Sequence, residues 1–429
     1  MLSHYSQRTL LGYVDIIGIV LVTNPVYVNG QMASRKGEYF RRELRVHNAG
    51  GPVWLGVTVT SPGGPTVTGN LFVPRTPEAF THDLDGNLTS DGRWTYNWDA
   101  ENRLTRVQSR SDTPTGSWRR VEWEYDALGR RIRQTTWMWN TDSGTWQVTE
   151  DLKFISDPML FGRHIVELNG TNNTLVRSYV WGLDLSGTMD GAGGVGGLLW
   201  VTLHTASGSA GGTHIVAYDS NGNVVALLSA TSGTDTARYE YGPFGEPIRL
   251  TGPAANLNPF RFSTKRTDST TDLVLYEYRA YSPALGRWLS RDPIGEKGGL
   301  NLHEFVKNRP IILVDPKGQS PVVVIVVGAA VVYLAKEAYD CWQCSRALDR
   351  WQAAVFECYK EGVAALQTIE GEIAFYDKYD ASGWAEAILN CAKQKDPEGL
   401  KRVLETCGRK AAESWVTGTF PMPPRAPLN

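Results

Sequence analysis

The chain of 429 residues is too long for one ordinary domain and has the mass for two or three units with sizeable cores. Its 43 basic and 45 acidic residues leave a net charge of −2, which argues against nucleic-acid or membrane binding driven by bulk charge. The 44 glycines, 15 tryptophans and 18 tyrosines favour a mainly β protein with many short strands, because glycine allows tight turns and aromatic side chains suit half-buried sheets.

Residues 1–80 carry short apolar runs such as VYVNGQM and RELRVHN, separated by Asn-Gly and Gly-Gly turn dipeptides. We predict an N-terminal β segment of antiparallel strands here. The apolar run that follows Arg8 has the outline of a secretory signal, but Asp15 interrupts it and no clear small-residue cleavage site follows. The run is therefore interpreted as strands, with no clear signal peptide.

Residues 81–256 contain a recurring pattern: HDLDGNLT, WDAENRLT, YDALGRR, YDSNGNVVAL and YGPFGEPIRL. Each unit consists of an aromatic strand, a turn and a returning strand. We expect Asp126 and Asp219 to bond the backbone two residues on, while Gly129 and Gly222 adopt the left-handed turn conformation. A spacing of about 16 to 27 residues between adjacent units is typical of stacked repeats, none of which buries its own apolar face.

Residues 169–213 are rich in glycine and serine, which predicts loops of low intrinsic order between repeats. Their GAGGVGG run has no strand-then-helix context, so it does not indicate a dinucleotide site.

Two Asp-Pro-X-Gly sequences follow, the first beginning at Asp292 and the second at Asp315. In each, proline sets φ and the final glycine, Gly295 or Gly318, completes a turn. By spacing alone, turn formation is the simpler interpretation. The pair also marks a boundary, since all five cysteines lie beyond residue 340 and the periodicity changes after residue 318.

The last 110 residues favour helices. An apolar stripe between Leu348 and Ile373 recurs every three or four residues, Ser382 is a candidate cap for a helix over 383–395, and Asp396 precedes a helix predicted over 397–407. Residues 321–335 are 15 consecutive uncharged residues, fewer than the ~20 that span a bilayer. We expect a buried strand or helix there, with membrane contact by a toxin leader as the alternative.

The tail carries no enzymatic signature. It has no histidine after His303, and its 12 basic and 14 acidic residues lack the positive charge of a nucleic-acid-cutting toxin. A single CxxC, Cys341 to Cys344, has no partner pair for zinc, so packing or a disulfide is the preferred role. We therefore predict no cofactor, no metal and no nucleic-acid partner. An acidic cluster at a predicted helix end is interpreted as a solvated face, although it could bind a metal: Glu370, Glu372, Asp377 and Asp380.

The repeats YDALGRR and YDSNGN, and above all residues 257–318, resemble the C-terminal part of rearrangement-hotspot (RHS) or YD-repeat proteins. The resemblance covers residues 81–318 and is most specific in 257–318, the RHS repeat-associated core. It implies a YD-repeat antiparallel β-sheet shell, or partial β-cocoon, followed by a small α-helical C-terminal domain over 319–429. In that family the core closes one end of the shell and precedes a variable region that is often a toxin.

The resemblance also implies self-cleavage, because several family members cut themselves just after the second turn in the manner of an aspartic protease. It carries Arg291 and Asp292 onto the first catalytic position and Asp315 onto the second, with the cut near Gln319. Two adjacent carboxylates cannot both ionise, so one would polarise the scissile carbonyl while the other activates water. Gln319 is a departure, since relatives usually carry leucine or methionine there; Ser282, where the family commonly has aspartate, is another.

Three functional hypotheses follow. The first is an encapsulation module of a polymorphic-toxin-like system, whose partners are its own C-terminal segment inside the shell and, beyond it, an immunity protein or a delivery component. The second is a self-cleaving core that releases a C-terminal toxin enzyme. A structural cell-surface remnant is the third interpretation, and all three imply a secreted or cell-surface location.

Overall fold

The computed structural model describes residues 6–20, 24–319, 354, 357–358, 361 and 381–407. The chain forms two compact units, Met1–Val326 and Val327–Asn429. Among the described residues, the first unit is built of antiparallel strands and short 3-10 turns, and the second contains α-helices. The expected fold class, a mainly β region followed by a small helical part, is confirmed.

The N-terminal segment forms two small sheets that share a core. Their strand orders are β2-β6-β5 and β4-β3-β7-β8, and β1 pairs separately with β9. The strands are β1 Gln7–Arg8, β2 Tyr13–Ile19, β3 Tyr27–Val28, β4 Gln31–Met32, β5 Ser34–Lys36, β6 Tyr39–Arg45, β7 Val53–Thr60, β8 Val67–Val73 and β9 Glu78–Ala79. Val26, Val28 and Phe40 are buried at the centre of the shared core.

The repeats build one fourteen-stranded antiparallel sheet in which every strand pairs with its neighbours in sequence. Its strands are β10 Thr81–His82, β11 Leu88–Ser90, β12 Trp94–Trp98, β13 Leu104–Ser109, β14 Arg119–Tyr125, β15 Arg131–Asn140, β16 Thr145–Ser156, β17 His164–Asn169, β18 Leu175–Trp181, β19 Leu198–Leu203, β20 Gly212–Tyr218, β21 Val224–Ser229, β22 Asp235–Tyr241 and β23 Pro247–Thr251. This order is what short connections between successive repeat strands require.

The repeat turns have the predicted chemistry. Asp126 Oδ1 accepts the N–H of Leu128, two residues on, at 2.9 Å, and that of Arg130 at 2.9 Å. Asp219 repeats the pattern, and Gly129 and Gly222 have φ values of 81° and 71°. The predicted roles of these aspartates and glycines are therefore confirmed.

An aromatic residue at the end of a repeat strand ties that strand to an earlier one. At each of five such residues the register of strand pairing shifts, which changes the direction of the side chain. Each donates a hydrogen bond of 2.5 to 2.9 Å to a backbone carbonyl near the start of an earlier strand. The pairs are Trp98 to Leu88, Tyr125 to Leu104, Trp181 to His164, Tyr218 to Leu198 and Tyr241 to Val224.

We expect Tyr125→Phe to lower the free energy of unfolding by about 1 kcal/mol, because it removes the hydrogen bond to the Leu104 carbonyl and keeps the ring. Denaturant unfolding followed by tryptophan fluorescence measures the change. Tyr13→Phe is the control, since Tyr13 is half exposed and should tolerate the loss of its hydroxyl. Equal effects of the two substitutions would contradict a role for the aromatic hydrogen bond in stacking the repeats.

The core segment covers one face of the large sheet. It contributes four short strands, β24 Arg266–Thr267, β25 Val274–Leu275, β26 Ala280–Ser282 and β27 Arg287–Trp288. Leu275 and Leu289 belong to one buried cluster with Trp94 and Trp123 of the repeats. Phe260 joins a second cluster, on the later repeat strands. Removing this apolar face from water is the main source of stability available to such an arrangement.

The glycine-rich residues 182–197 form a loop, as expected, but the prediction of low order is wrong for this part. Ala192 and Val195 are buried, and the Asp184 carboxylate accepts the N–H groups of Ala192 and Gly194 at 2.9 and 3.0 Å. A carboxylate that satisfies buried backbone donors orders a segment whose composition alone favours disorder.

The described part of the second unit contains two helices, α1 Ala381–Lys395 and α2 Pro397–Cys407. Asp396 caps α2 as predicted, accepting the Gly399 N–H at 2.9 Å. The predicted cap at Ser382 is wrong, since α1 already begins at Ala381; serine costs little inside a helical turn. Cys358 and Cys391 form a disulfide.

Several expectations fall outside the described residues: the buried or membrane-contacting segment 321–335, most of the helix predicted between Leu348 and Ile373, the CxxC pair and the acidic cluster. Within the described ranges, no group of three or more histidine, cysteine or acidic side chains could hold a metal. No helix in that same part of the chain is long and apolar enough to cross a membrane.

Candidate functional site at the paired Asp-Pro turns

Both Asp-Pro-X-Gly sequences form turns. In the first, the Gly295 N–H donates to the Asp292 carbonyl at 2.9 Å, and the Ile294 N–H donates to Asp292 Oδ1 at 3.0 Å. In the second, the Gly318 N–H donates to Asp315 Oδ1 at 2.7 Å. Gly295 and Gly318 have φ values of 63° and 81°, a conformation that glycine adopts without strain. The turn-forming role is therefore present, and any further chemistry depends on what the carboxylates contact.

One guanidinium joins the two turns. Arg279 precedes β26, and its Nη2 atom lies 2.9 Å from Asp292 Oδ2 and 3.2 Å from Asp315 Oδ2. The side chains of Arg279, Asp292 and Asp315 are only 2%, 7% and 1% exposed. The guanidinium also lies over the Trp288 ring at 4.1 Å. Two carboxylates that are 23 positions apart in the chain thus share one buried cation.

The peptide bond between Gly318 and Gln319 is held by the same groups. Arg279 Nε donates to the Gly318 carbonyl oxygen at 2.5 Å. The Gln319 N–H donates to Asp315 Oδ1 at 3.1 Å. A cationic donor on a carbonyl oxygen withdraws electron density from the carbonyl carbon and stabilises negative charge that develops on the oxygen. A carboxylate therefore contacts the nitrogen of this peptide bond while an arginine contacts its oxygen.

Burial sets the electrostatics of the site. It raises the pKa of Asp292 above the ordinary value, and the attraction of Arg279 offsets this only in part. Burial also lowers the pKa of Arg279, against the opposing effect of both carboxylates. An aspartate whose pKa is raised accepts a proton more readily, which is the property a general base requires.

Among the ion pairs of the described residues, none joins Arg291 to Asp292 or to Asp315. Its Nη2 atom donates to the Leu84 carbonyl at 3.2 Å, and its Nε atom packs against Gly86 of the first repeat turn. The assignment of Arg291 to the first catalytic position stays a prediction, and the cation that contacts both carboxylates is Arg279. The signal for Arg279 was its position between tyrosines in YEYRAY, where a charge in an aromatic strand pattern needs a buried partner.

The glycine-rich loop, residues 182–197, packs against the second Asp-Pro turn. A Cβ atom on Gly193 would lie 2.1 Å from the Pro316 carbonyl oxygen, so only glycine fits there. Lys317 pairs with Asp190 of the same loop at 2.5 Å. Sequence reasoning missed this loop as part of the site, because its composition resembles a linker and its partner lies more than 100 residues away.

Comparisons with known proteins agree with the repeat pattern. The Teneurin YD-shell family model matches residues 203–308. The tRNA3(Ser)-specific nuclease WapA of Bacillus spizizenii is 28% identical over 285 residues, which are 65% of this chain and 10% of that protein. The toxin subunit YenC2 of Yersinia entomophaga is 49% identical over 61 residues, which are 14% of this chain and 6% of that protein.

Among solved structures, the crystal structure of TcdB2-TccC3 matches with a TM-score of 0.44 and 19% identity, over 68% of this chain and 14% of that one. The matched part of the chain spans 10% of the length of WapA and 6% of the length of YenC2. The family resemblance expected from the repeats is confirmed.

Proposed function

We propose that this RHS/YD-repeat protein acts as the closing part of a β-shell and presents residues 319–429 as a variable C-terminal effector or plug of a polymorphic-toxin-like system. The packing of the core segment across the repeat sheet supports this role, because it covers one face of that sheet. The proposed partners are the chain's own C-terminal segment, an immunity protein and a delivery component, in a secreted or cell-surface setting.

The activity of the tail is not transferred from the relatives. WapA is named as a tRNA nuclease, whereas residues 319–429 of this chain contain no histidine and have no excess of basic residues. Metal-independent nucleases commonly depend on histidine as acid or base, and nucleic-acid binding depends on positive charge. We therefore keep both proposals for residues 319–429, a plug of the shell and an effector.

The geometry at the paired turns supports a second function, self-cleavage of the Gly318–Gln319 peptide bond. The observation that carries it is the contact of one arginine with both carboxylates and with the Gly318 carbonyl oxygen. In this mechanism water adds to the Gly318 carbonyl carbon and loses a proton to Asp292. The developing oxyanion remains on Arg279 Nε.

Asp315 completes the reaction. Its Oδ1 atom accepts the Gln319 N–H at 3.1 Å, so this carboxyl group lies where a proton can pass to the nitrogen when the C–N bond breaks. One proton enters the pair from water and one leaves it for the Gln319 nitrogen, so the products are a Gly318 carboxyl group and a Gln319 amine. A carboxylate pair that shares one proton is the arrangement that adjacent buried aspartates favour.

Expression of the full chain tests the proposal. We expect a C-terminal fragment that begins at Gln319, identified by intact mass and N-terminal sequencing. Asp292→Asn and Asp315→Asn should each slow its appearance by at least about 100-fold, because each removes an acid–base group. Asp126→Asn is the matched control, since Asp126 also forms a turn and pairs with an arginine but lies away from the cut.

A fragment that begins elsewhere, or that persists when both Asp292 and Asp315 are asparagine, would contradict self-cleavage by this pair. A chain that stays intact would do the same and leave the shell role as the proposed function. The shell role has its own test: residues 319–429 should resist added protease in the full chain and be degraded after mild denaturation.

A further inference from the structure

A partly enclosed cavity lies between the repeats and the core segment, and its lining includes Gly193 of the loop that packs on the second turn. Arg131, Arg163 and His164 line it from the repeats, and Lys265, Arg266 and Glu277 line it from the core segment. The part of the cavity that the centre of a water molecule can occupy has a volume of about 30 Å³. This space is enough for one or two waters or a small ion. Its rim includes the half-exposed residues Arg130 and Phe161, which lie within reach of solvent.

The residues around the cavity contain buried nitrogens without a hydrogen-bond partner among the described residues. These are Nε and Nη1 of Arg163, Nε of Arg131, Nε of Arg266 and Nδ1 of His164. Arg163 and Arg266 are 2% and 5% exposed. Each buried donor that lacks an acceptor costs about 1–3 kcal/mol, and more when it is charged. Three arginines in this condition around one space point to an acceptor that is bound there.

Of the cations around the cavity, Arg131 is the one that has no carboxylate partner in the described part of the chain. Lys265 is neutralised by Glu277 at 2.8 Å. Arg163 lies 3.4 Å from Asp190 and 3.7 Å from Asp184. Arg266 shares the carboxylate of Glu167 with Arg177, which also contacts Glu150 at 3.2 Å. Arg131 has no ion pair there: its Nη1 donates to the Tyr276 carbonyl at 2.7 Å. A neutral water would satisfy the free N–H groups but would leave the positive charge uncompensated.

We propose that this cavity binds a small inorganic oxyanion of the size of phosphate or sulfate, through the free N–H groups of Arg131, Arg163 and Arg266. An oxyanion offers several acceptor oxygens to donors that approach from different sides, and charge-assisted bonds to guanidinium groups are the strong ones. The ion would join the repeat sheet to the core segment, because its ligands come from both. This inference does not depend on self-cleavage.

Binding of phosphate to the full chain, measured by equilibrium dialysis with labelled phosphate, tests the proposal. We expect saturable binding of one ion per chain and a rise in Tm of about 3–5 °C at 100 times Kd. Sodium chloride at the same ionic strength should leave Tm unchanged. Arg131→Gln should weaken phosphate binding at least about tenfold, because it removes a charged donor from a half-exposed position that tolerates substitution.

Arg106→Gln is the matched control, since it makes the same charge change at an exposed position of β13 and should bind phosphate as the parent chain does. Arg163→Gln provides a second variant from the buried side. Absence of saturable phosphate or sulfate binding would overturn the proposal. Equal binding by the Arg131 and Arg106 variants would also overturn it, as would an equal Tm rise with chloride.

Discussion

Replacement of Arg279 by methionine is expected to lower the free energy of unfolding by about 3–5 kcal/mol and to abolish any fragment that begins at Gln319. Arg279 is the cation that the structure places between Asp292 and Asp315, and both carboxylates are almost fully buried. Removing one member of a buried ion pair leaves an uncompensated charge, which costs about this much. The substitution also removes the donor to the Gly318 carbonyl oxygen, on which the proposed cleavage depends.

Denaturant unfolding measures the stability change, and N-terminal sequencing measures the cleavage. The control is Arg291→Met, because Arg291 makes one backbone contact, to Leu84, and is not buried between carboxylates. It should lose less than about 1 kcal/mol and leave cleavage unchanged. If Arg291→Met stops cleavage and Arg279→Met does not, the assignment of the arginine is wrong. Arg279→Lys separates the effect on stability from the effect on cleavage. Lysine keeps the positive charge but lacks the planar guanidinium group that contacts Asp292, Asp315 and the Gly318 carbonyl oxygen.

Glu167→Gln is expected to cost about 3–5 kcal/mol of stability, although the residue lies far from the paired turns in sequence. Glu167 is fully buried and accepts from Arg177 Nε at 2.6 Å, from Arg266 Nη1 at 2.5 Å and from the Tyr179 hydroxyl at 2.6 Å. Glutamine keeps the shape but removes the negative charge. Two buried guanidiniums would then face each other without their shared carboxylate.

The pH dependence of the free energy of unfolding provides a second test of the role of Glu167. Burial would raise its pKa, but Arg177 and Arg266 outweigh burial and hold the pKa below the ordinary value of 4.5. A carboxyl group with a lowered folded-state pKa stabilises the protein above its unfolded-state pKa, and that contribution is lost as pH falls. We therefore expect the difference between the parent chain and Glu167→Gln to be full at pH 7 and to shrink below about pH 4.5.

Glu150→Gln is the control for this pair of measurements. Glu150 contacts the same Arg177 at 3.2 Å but is 45% exposed, so its substitution should cost less than about 1 kcal/mol. Equal losses for the two glutamine variants would contradict a special role for the buried carboxylate. A Glu167→Gln deficit that does not change between pH 7 and pH 3 would show that packing, and not charge, is responsible.

Local chemistry explains which parts of the fold were predictable. The turn at Asp126 depends on an aspartate, a glycine and the backbone of the same five residues, so the sequence pattern contains every partner. The same holds for the cap of α2 by Asp396. The low order expected for residues 169–213 was wrong for residues 182–197, because Asp184 and the approach of Pro316 to Gly193 order a segment whose composition suggests a linker.

The candidate site shows the same division. The aspartates at 292 and 315 stand out in the sequence because each precedes a proline in a repeated turn motif, and the structure places both on one guanidinium. Arg291 stands out because it is adjacent to Asp292. Successive side chains of an extended chain point to opposite sides, however, and Arg291 donates a hydrogen bond to the Leu84 carbonyl. Adjacency in sequence is a poor guide to contact in an extended chain.

By itself the sequence determined the repeat turns and the mainly β class, because these follow from short-range backbone preferences and from composition. Tertiary structure alone decided that Arg279 joins the two turns, that Glu167 accepts hydrogen bonds from two arginines and that buried donors surround one cavity. These contacts join residues up to 99 positions apart, and their energies depend on burial. Burial is a property of the folded sheet and its covering segment, which no local pattern records.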